Sequence, residues 1–126
     1  RQMMIQPYLP SIAAEGEFSL FYFDGQLSHS IIKQPAKGDF RVQDQFGGHE
    51  NAINAPRAAM ELASAALSAT ATITGTDTLA YARVDLLRDG DGNFRLMELE
   101  LIEPSLFLSL APDAGAAFAR AIFAAA

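Results

Sequence analysis

The stretch that decides the fold is a pair of apolar segments around a polar turn. Leu79-Ala-Tyr-Ala-Arg-Val-Asp-Leu-Leu87 is followed by Asp89-Gly-Asp-Gly-Asn93 and then by Phe94-Arg-Leu-Met-Glu-Leu-Glu-Leu-Ile102. Each segment has the length of a strand, and Asp-Gly pairs are typical of the tight turns that join antiparallel strands. The pattern therefore predicts a β-hairpin.

Alternate residues of a strand share one face of the sheet, which separates this hairpin into an apolar and a charged side. Arg83 and Asp85 lie on one face of the first strand, and Glu98 and Glu100 share a face of the second. With the turn centred near Asp91, Asp85 lies opposite Glu98 and Arg83 lies opposite Glu100. The other face is predicted to be core and carries Ala82, Val84, Leu86, Met97, Leu99 and Leu101.

Three carboxylates with one arginine on a small patch are costly, because like charges on directly opposed strand positions destabilise the pair. A divalent cation removes this cost, and carboxylate oxygens are the ligands that Mg²⁺ prefers. The planar fork of Arg83 suits a phosphate group. Spacing alone leaves a second interpretation open, in which these residues form a solvated ion-pair cluster that stabilises by less than ~1 kcal/mol. A calcium loop at Asp89 to Asn93 is disfavoured, because its glycines do not fit the EF-hand pattern.

The remaining chain supplies a second hairpin and a short strand before it. Phe18 to Phe23 and Leu27 to Lys33 flank Asp24-Gly25, which predicts a hairpin. Residues 3–6 are apolar and are bounded by Pro7 and Pro10, which predicts a short strand. Residues 34–50 are polar and glycine-rich and are predicted to form a long loop.

Two helices complete the predicted fold. The first begins at Asn54 as N-cap, has Pro56 in its first turn and ends near Gly75. Four of its residues fall at helical spacing: Met60, Ala63, Leu67 and Thr70. The last helix begins after Pro112 and Asp113. The order strand, hairpin, loop, helix, hairpin, helix predicts an α+β fold with an antiparallel sheet and helices packed on one face.

Composition limits the class of protein. With 126 residues, half of them hydrophobic, the chain is expected to form one domain with a real core. A net charge of −6 argues against a nucleic-acid-binding surface. The chain has no cysteine, no signal-peptide pattern and no apolar run of the ~20 residues that span a membrane. These features favour a cytoplasmic protein without a membrane partner, and they leave open whether identical chains assemble into an oligomer.

The second hairpin resembles the metal-binding end of the ATP-grasp superfamily. Tyr81-Ala-Arg-Val-Asp85 and Leu96-Met-Glu-Leu-Glu100 are similar to the Arg-x-Asp and Glu-x-Asn motifs of that family. The resemblance implies that Asp85, Glu98 and Glu100 hold magnesium and that Arg83 contacts ATP phosphates. Glu100 is a departure, since most members have Asn there. The run from Glu98 to Leu106 is most similar to the cycloserine-ligase-like branch.

The N-terminal half resembles bacterial glutathione synthetases through Met4-Ile-Gln-Pro-Tyr-Leu-Pro-Ser-Ile12 and the following Gly16-Glu17. The resemblance implies that adenine is lined by Gln6, Tyr8 and Leu9 and that Glu17 takes the ribose hydroxyls. Lys33, Arg41 and Gly47-Gly48 match a basic, glycine-rich loop that holds the acyl phosphate and the substrate. Ser19 and Lys33 stand where glutathione synthetases have arginines, which argues against glutathione as the product.

The resemblance also implies an activity. It is that of an ATP- and Mg²⁺-dependent carboxylate–amine ligase, with Mn²⁺ as an alternative cation, which joins small-molecule substrates through an acyl phosphate. Arg83, Arg41 and Lys33 are the expected catalytic residues. Residues 1–126 are expected to be the C-terminal ATP-grasp subdomain of a longer enzyme and to be inactive alone. Two alternatives stay open: an ATP-dependent phosphotransferase with the same cation site, and a nucleotide-binding fragment.

Overall fold

The computed structural model describes residues 2–36, 41–42, 47–76 and 79–126, and its centre is a five-stranded antiparallel sheet of order β3-β2-β1-β4-β5. The predicted α+β class is confirmed. The strands are β1 (Glu17–Phe23), β2 (Gln26–Gln34), β3 (His49–Ala52), β4 (Tyr81–Arg88) and β5 (Phe94–Glu100). The helices are α1 (Ser11–Ala14), α2 (Arg57–Thr74) and α3 (Ala114–Ala125), and a 3₁₀ turn spans Leu108–Leu110. Both predicted hairpins are present.

The main core lies between α2 and one face of the sheet. Ala59 and Ala63 of α2 are fully buried, and their small side chains let the helix approach the strands closely. The sheet contributes Phe18, Leu20, Tyr22, Ala82, Val84, Leu86 and Phe94. The helix ends at Gly75, whose φ of 66° is the left-handed C-cap conformation that glycine adopts readily.

The start of α2 differs from the prediction. The residue before the helix is Pro56, with φ −57° and ψ 144°, and no side chain caps the first turn. Asn54 lies outside the helix, because the ring of Pro56 disfavours helical backbone at the residue before it.

The two long helices lie on opposite faces of the sheet, which corrects the predicted placement on one face. α3 packs through Ala114, Phe118 and Ala121 against Phe23 and Tyr81, whose side chains project away from α2. Apolar side chains at the ends of β1 and β4 therefore lie on the same face of the sheet as Arg83 and Asp85. Within the described residues, no helix combines the length and apolar character that crossing a membrane requires.

A β-bulge in β5 sets which way its side chains project. Asp85 pairs with Glu98, but the next residue of β4, Leu86, pairs with Leu96, so Met97 has no partner on β4. Because of this extra residue, Phe94 faces the core while Glu98 faces the opposite side of the sheet. The prediction that Met97 belongs to the core is wrong for the same reason, although Leu99 and Leu101 pack against the core as expected.

The predicted strand at residues 3–6 is absent. The side chains of Met3, Met4 and Ile5 are 79%, 82% and 92% exposed, and the segment pairs with none of the five strands. Its contact with the sheet is a hydrogen bond from Gln6 Nε2 to the carbonyl oxygen of Met97, at 3.0 Å. An apolar pattern predicts strand propensity, but a strand forms only where its backbone groups find a partner.

Candidate active site

Asp85 is the centre of the polar face. It lies on β4 between Ser19 of β1 and Glu98 of β5, and its side chain is fully buried. Its Oδ1 accepts a hydrogen bond from Ser19 Oγ at 2.5 Å and lies 3.4 Å from Lys33 Nζ. Arg83 Nε donates to both carboxylate oxygens, at 3.2 and 2.9 Å. A buried carboxylate with this many donors is held in one orientation.

Arg83 joins Asp85 to the two glutamates of β5. Its Nη2 lies 2.9 Å from Asp85 Oδ2, 2.5 Å from Glu100 Oε1 and 3.7 Å from Glu98 Oε2. Burial alone would lower the pKa of Arg83, but the charges of Asp85, Glu100 and Glu98 outweigh it and raise the pKa above its ordinary value. The guanidinium is therefore charged at any physiological pH.

Glu98 and Glu100 complete a group of three carboxylates whose oxygens lie within 4.8 Å of one another. Burial and the neighbouring charges of Glu100 and Asp85 raise the pKa of Glu98. The Glu98 side chain is still 58% exposed, so a solvated ion can reach the group from the open side. Oxygen donors at this spacing suit a hard divalent cation such as Mg²⁺.

Lys33 and Glu17 form a second charged pair beside Asp85. Lys33 Nζ contacts Glu17 Oε1, and the two side chains are 8% and 14% exposed. The register pairs Glu17 of β1 directly with Lys33 of β2, which places both next to Ser19 and Asp85. Burial raises the pKa of Glu17, although the ammonium of Lys33 acts in the opposite direction.

One cavity of about 620 Å³ is bordered by all of these charged groups except Asp85, which is fully buried. Its far wall is the segment Glu103–Phe107, which follows β5 and contributes Glu103, Ser105 and Phe107. Glu103 and Phe107 both have positive φ, of 53° and 47°, which is uncommon for residues other than glycine and is often found at functional sites. Val42 and Glu50 complete the described lining.

Side chains of the sheet hold this wall segment in place. Arg83 Nη1 lies 3.4 Å from the carbonyl oxygen of Ser105, and His29 Nε2 donates to that of Leu106 at 2.8 Å. The His29 ring stacks on Phe21 with its centroid 4.3 Å away. Burial lowers the pKa of His29, which favours the neutral imidazole.

The structure brings together most of the residues predicted for the site. Arg83, Lys33, Glu17, Glu98 and Glu100 line the cavity, and Asp85 lies beneath them. Sequence reasoning did not assign Ser105, Glu103 or Glu50 to the site, because isolated polar residues after a strand or in a strand as short as β3 carry no periodic signal. Ser19 was noted only as a departure from a related family, and its hydroxyl proves to hold Asp85.

The residues predicted to contact adenine lie elsewhere. Gln6 and Leu9 border a separate cleft of about 360 Å³, together with Asp89, Arg95, Leu96 and Met97. Tyr8 is 62% exposed and is not among the residues that line this cleft. Arg41 is exposed and is absent from the described lining of the large cavity, although its neighbour Val42 contributes to it. Part of the predicted basic loop, residues 37–40 and 43–46, lies outside the described residues.

Comparison with known proteins gives the class of fold to which this chain belongs. No family model matches the chain. Its fold is that of ATP-grasp ligases: it matches the structure of the ATP-grasp ligase PsnB with a TM-score of 0.56 over 91% of this chain and 34% of that one, and the 16% identity supports the fold alone. The predicted resemblance to this class is confirmed.

Two particular enzymes are more similar in sequence. The chain is 37% identical over 122 residues to the cycloserine biosynthesis protein DcsG of Streptomyces lavendulae, which covers 95% of this chain and 41% of DcsG. The crystal structure of D-cycloserine synthetase DcsG matches with a TM-score of 0.81 and 38% identity, over 93% of this chain and 40% of that one. A D-alanine–D-alanine ligase from Bacillus anthracis complexed with ATP matches with a TM-score of 0.55 and 26% identity, over 86% and 36% of the two chains. The chain thus spans about two fifths of the length of these relatives.

Proposed function

We propose that this chain is the C-terminal subdomain of an ATP- and Mg²⁺-dependent ligase that joins a carboxylate to an amine. The observation that carries the proposal is the single cavity onto which Glu98, Glu100, Arg83 and Lys33 open, with Asp85 beneath them. Its support is the similarity to D-cycloserine synthetase and to D-alanine–D-alanine ligase. The substrates are proposed to be small molecules, one with a free carboxylate and one with a free amine.

The proposed reaction has two steps. The γ-phosphoryl group of ATP passes to a carboxylate oxygen of the first substrate, which breaks the bond to ADP and gives an acyl phosphate. The amine nitrogen then attacks the acyl carbon and loses a proton, and inorganic phosphate leaves as the amide-type bond forms. Such transfers depend on positioning and on neutralising charge rather than on a covalent group of the enzyme.

The chain's own residues have distinct proposed roles. Asp85, Glu98 and Glu100 would hold Mg²⁺, which would neutralise phosphate charge during transfer. Arg83 and Lys33, which line the cavity, are proposed to bind phosphate oxygens, and Arg41 is proposed to join them from the adjoining loop. Glu17 is proposed to bind the ribose. The cleft beside Gln6 and Leu9, with Tyr8 at its edge, is proposed to take the adenine.

The proposal assigns this chain one part of the catalytic machinery. Because it spans about two fifths of its relatives' length, a longer enzyme would supply the rest, and the isolated chain is expected to bind nucleotide without turnover. The deciding experiment measures ADP release by that enzyme with Mg²⁺ and a panel of amino acids, hydroxyamino acids and dipeptides. ADP release that requires one acid and one amine together supports the ligase. A stable phosphorylated product without amide formation would identify a phosphotransferase instead.

A single substitution tests the carboxylate group. Glu98→Gln in the full enzyme is expected to abolish ATP turnover and to leave the fold intact, because it removes a ligand and relieves repulsion without touching the core. Glu61→Gln is the matched control, since Glu61 lies on the exposed surface of α2 and pairs only with Arg57 among the contacts described. Unchanged turnover in Glu98→Gln would refute the assignment of this cluster.

A further inference from the structure

The guanidinium of Arg83 lies where three carboxylates converge. Its Nη2 lies within 3.7 Å of one oxygen each from Asp85, Glu98 and Glu100, at 2.9, 3.7 and 2.5 Å. These are the three carboxylates whose oxygens gather within 4.8 Å of one another. A divalent cation at this position would be surrounded by the same three negative oxygens. The positive charges of the guanidinium and of such a cation would repel each other strongly at such short separations.

We propose that Arg83 is a resident substitute for the metal ion: it fills the cation position in the free protein and must turn away before a divalent cation binds. The inference deepens the proposed function, since it rests on the role of the carboxylate cluster as a metal site. In the free protein, Arg83 would therefore occupy the metal site, held there by its ion pairs with the three carboxylates.

The contacts of Asp85 show how the exchange can occur without disordering the site. Its Oδ1 accepts from Ser19, lies 3.4 Å from Lys33 and also accepts from Arg83 Nε at 3.2 Å. Its Oδ2 contacts only Arg83 among the described partners, through Nε and Nη2. Departure of Arg83 therefore releases Oδ2 while Oδ1 stays held. Ser19 is thus a positioning residue: it keeps the carboxylate turned so that Oδ2 passes from the guanidinium to the cation.

The structure also supplies a direction for the movement. Arg83 Nη1 lies 3.4 Å from the carbonyl oxygen of Ser105 on the cavity wall, so the guanidinium already reaches from the carboxylates towards the cavity. A nucleotide phosphate there offers a bidentate acceptor for the same guanidinium. Cation and nucleotide should accordingly bind cooperatively, because the phosphate draws away the group that excludes the cation.

Mn²⁺ binding to the full enzyme without nucleotide tests the proposal directly, with free Mn²⁺ measured by electron paramagnetic resonance. Arg83→Gln is expected to tighten Mn²⁺ binding by at least about tenfold, because it removes a competing positive charge from the site. Arg57→Gln is the matched control, since it removes the same charge from the exposed surface of α2 and should change binding little. Equal or weaker Mn²⁺ binding by Arg83→Gln would overturn the proposal.

A second measurement uses the unaltered protein, in case Arg83→Gln does not fold. The Nε–Hε nuclear magnetic resonance signal of Arg83, held by Asp85 in the free state, should shift and exchange faster with water when Mg²⁺ and ADP are added. Binding of both with this signal unchanged would refute the exchange. Ser19→Ala, placed in the Arg83→Gln background, should weaken Mn²⁺ binding several-fold. Unchanged binding would show that Ser19 does not position the Asp85 carboxylate for the cation.

The outcomes separate this inference from the proposed function. If wild type binds Mn²⁺ with ADP but Arg83→Gln does not bind Mn²⁺ alone more tightly, the metal site is supported. The proposal that Arg83 fills the cation position is then wrong. If neither protein binds Mn²⁺, with or without ADP, the metal assignment of Asp85, Glu98 and Glu100 is wrong and both proposals fail.

Discussion

Replacing Lys33 with Met is the perturbation whose cost can be worked out most directly from the contacts. The substitution keeps the aliphatic stem and removes the Nζ that contacts Glu17 and lies 3.4 Å from Asp85. Both carboxylates are buried or nearly so. Removing one partner of a buried ion pair costs about 3–5 kcal/mol. We expect about 3 kcal/mol at neutral pH, the low end of that range, because Glu17 retains 14% exposure and can take up a proton.

The cost should depend on pH in a defined direction. The pKa of Glu17 in the folded protein is raised above 4.5, so the stability that depends on its neutral form is complete below pH 4.5 and is lost as the pH rises through the folded pKa. Lys33 opposes this rise. Without Lys33 the folded pKa of Glu17 is higher still, so the destabilisation caused by Lys33→Met should grow from pH 4.5 upward and be largest near neutrality and above.

Urea denaturation of four proteins measures these quantities: wild type, Lys33→Met, Glu17→Gln and the double variant. The double variant should recover at least half of the loss at neutral pH, because it no longer buries an unpaired charge, and the cycle isolates the pair. A cost below about 1 kcal/mol for Lys33→Met, or one independent of pH, would refute the reasoning, because that is the behaviour of an exposed ion pair.

Two further predictions concern the backbone and His29. Gly16→Ala should destabilise the protein by more than about 2 kcal/mol in denaturant titrations, because the φ of Gly16 is 107° and the added Cβ would lie 2.6 Å from the carbonyl oxygen of Lys33. Gly75→Ala is the control and should cost only about 1 kcal/mol, because Gly75 has φ 66° and open space around it. Equal costs would contradict the role of the close contact. Because burial lowers the pKa of His29, wild type should lose thermal stability as the pH falls below 6.5. His29→Phe should lose less over the same pH range. If the melting temperatures of the two proteins fall in parallel with pH, His29 is not the group responsible.

The sequence predicted the two hairpins because their turns carry specific chemistry. Asp24-Gly25 and the run from Asp89 to Asn93 fix where the strands reverse, and alternation then sets the faces. The predicted pairing of Asp85 with Glu98 and of Arg83 with Glu100 is the pairing found. Local signals of this kind are independent of the rest of the molecule, which is why they were sufficient.

The predictions that failed depended on partners distant in sequence or on local backbone detail. Residues 3–6 have strand propensity but pair with no strand of the sheet. The placement of α3 depends on the packing of Phe118 between Phe23 and Tyr81, which no periodicity within α3 reveals. The wall segment after β5 depends on positive φ at Glu103 and Phe107, and neither glutamate nor phenylalanine is a residue type that predicts positive φ.

The unpaired Met97 makes the direction of the β5 side chains depend on the number of residues in the strand. Phe94 and Glu98 are an even number of positions apart, yet they project to opposite faces because one residue of the strand is not counted in the pairing. Loss of the unpaired residue would leave them three positions apart, and regular alternation would then project the ring to the core and the carboxylate to the cavity without a bulge. Regular pairing without loss of a residue would instead send both to one face, either the ring into the charged cavity or the carboxylate into the core. Sequences that share this hairpin should therefore combine an even spacing between these two positions with a bulge, or an odd spacing with regular pairing.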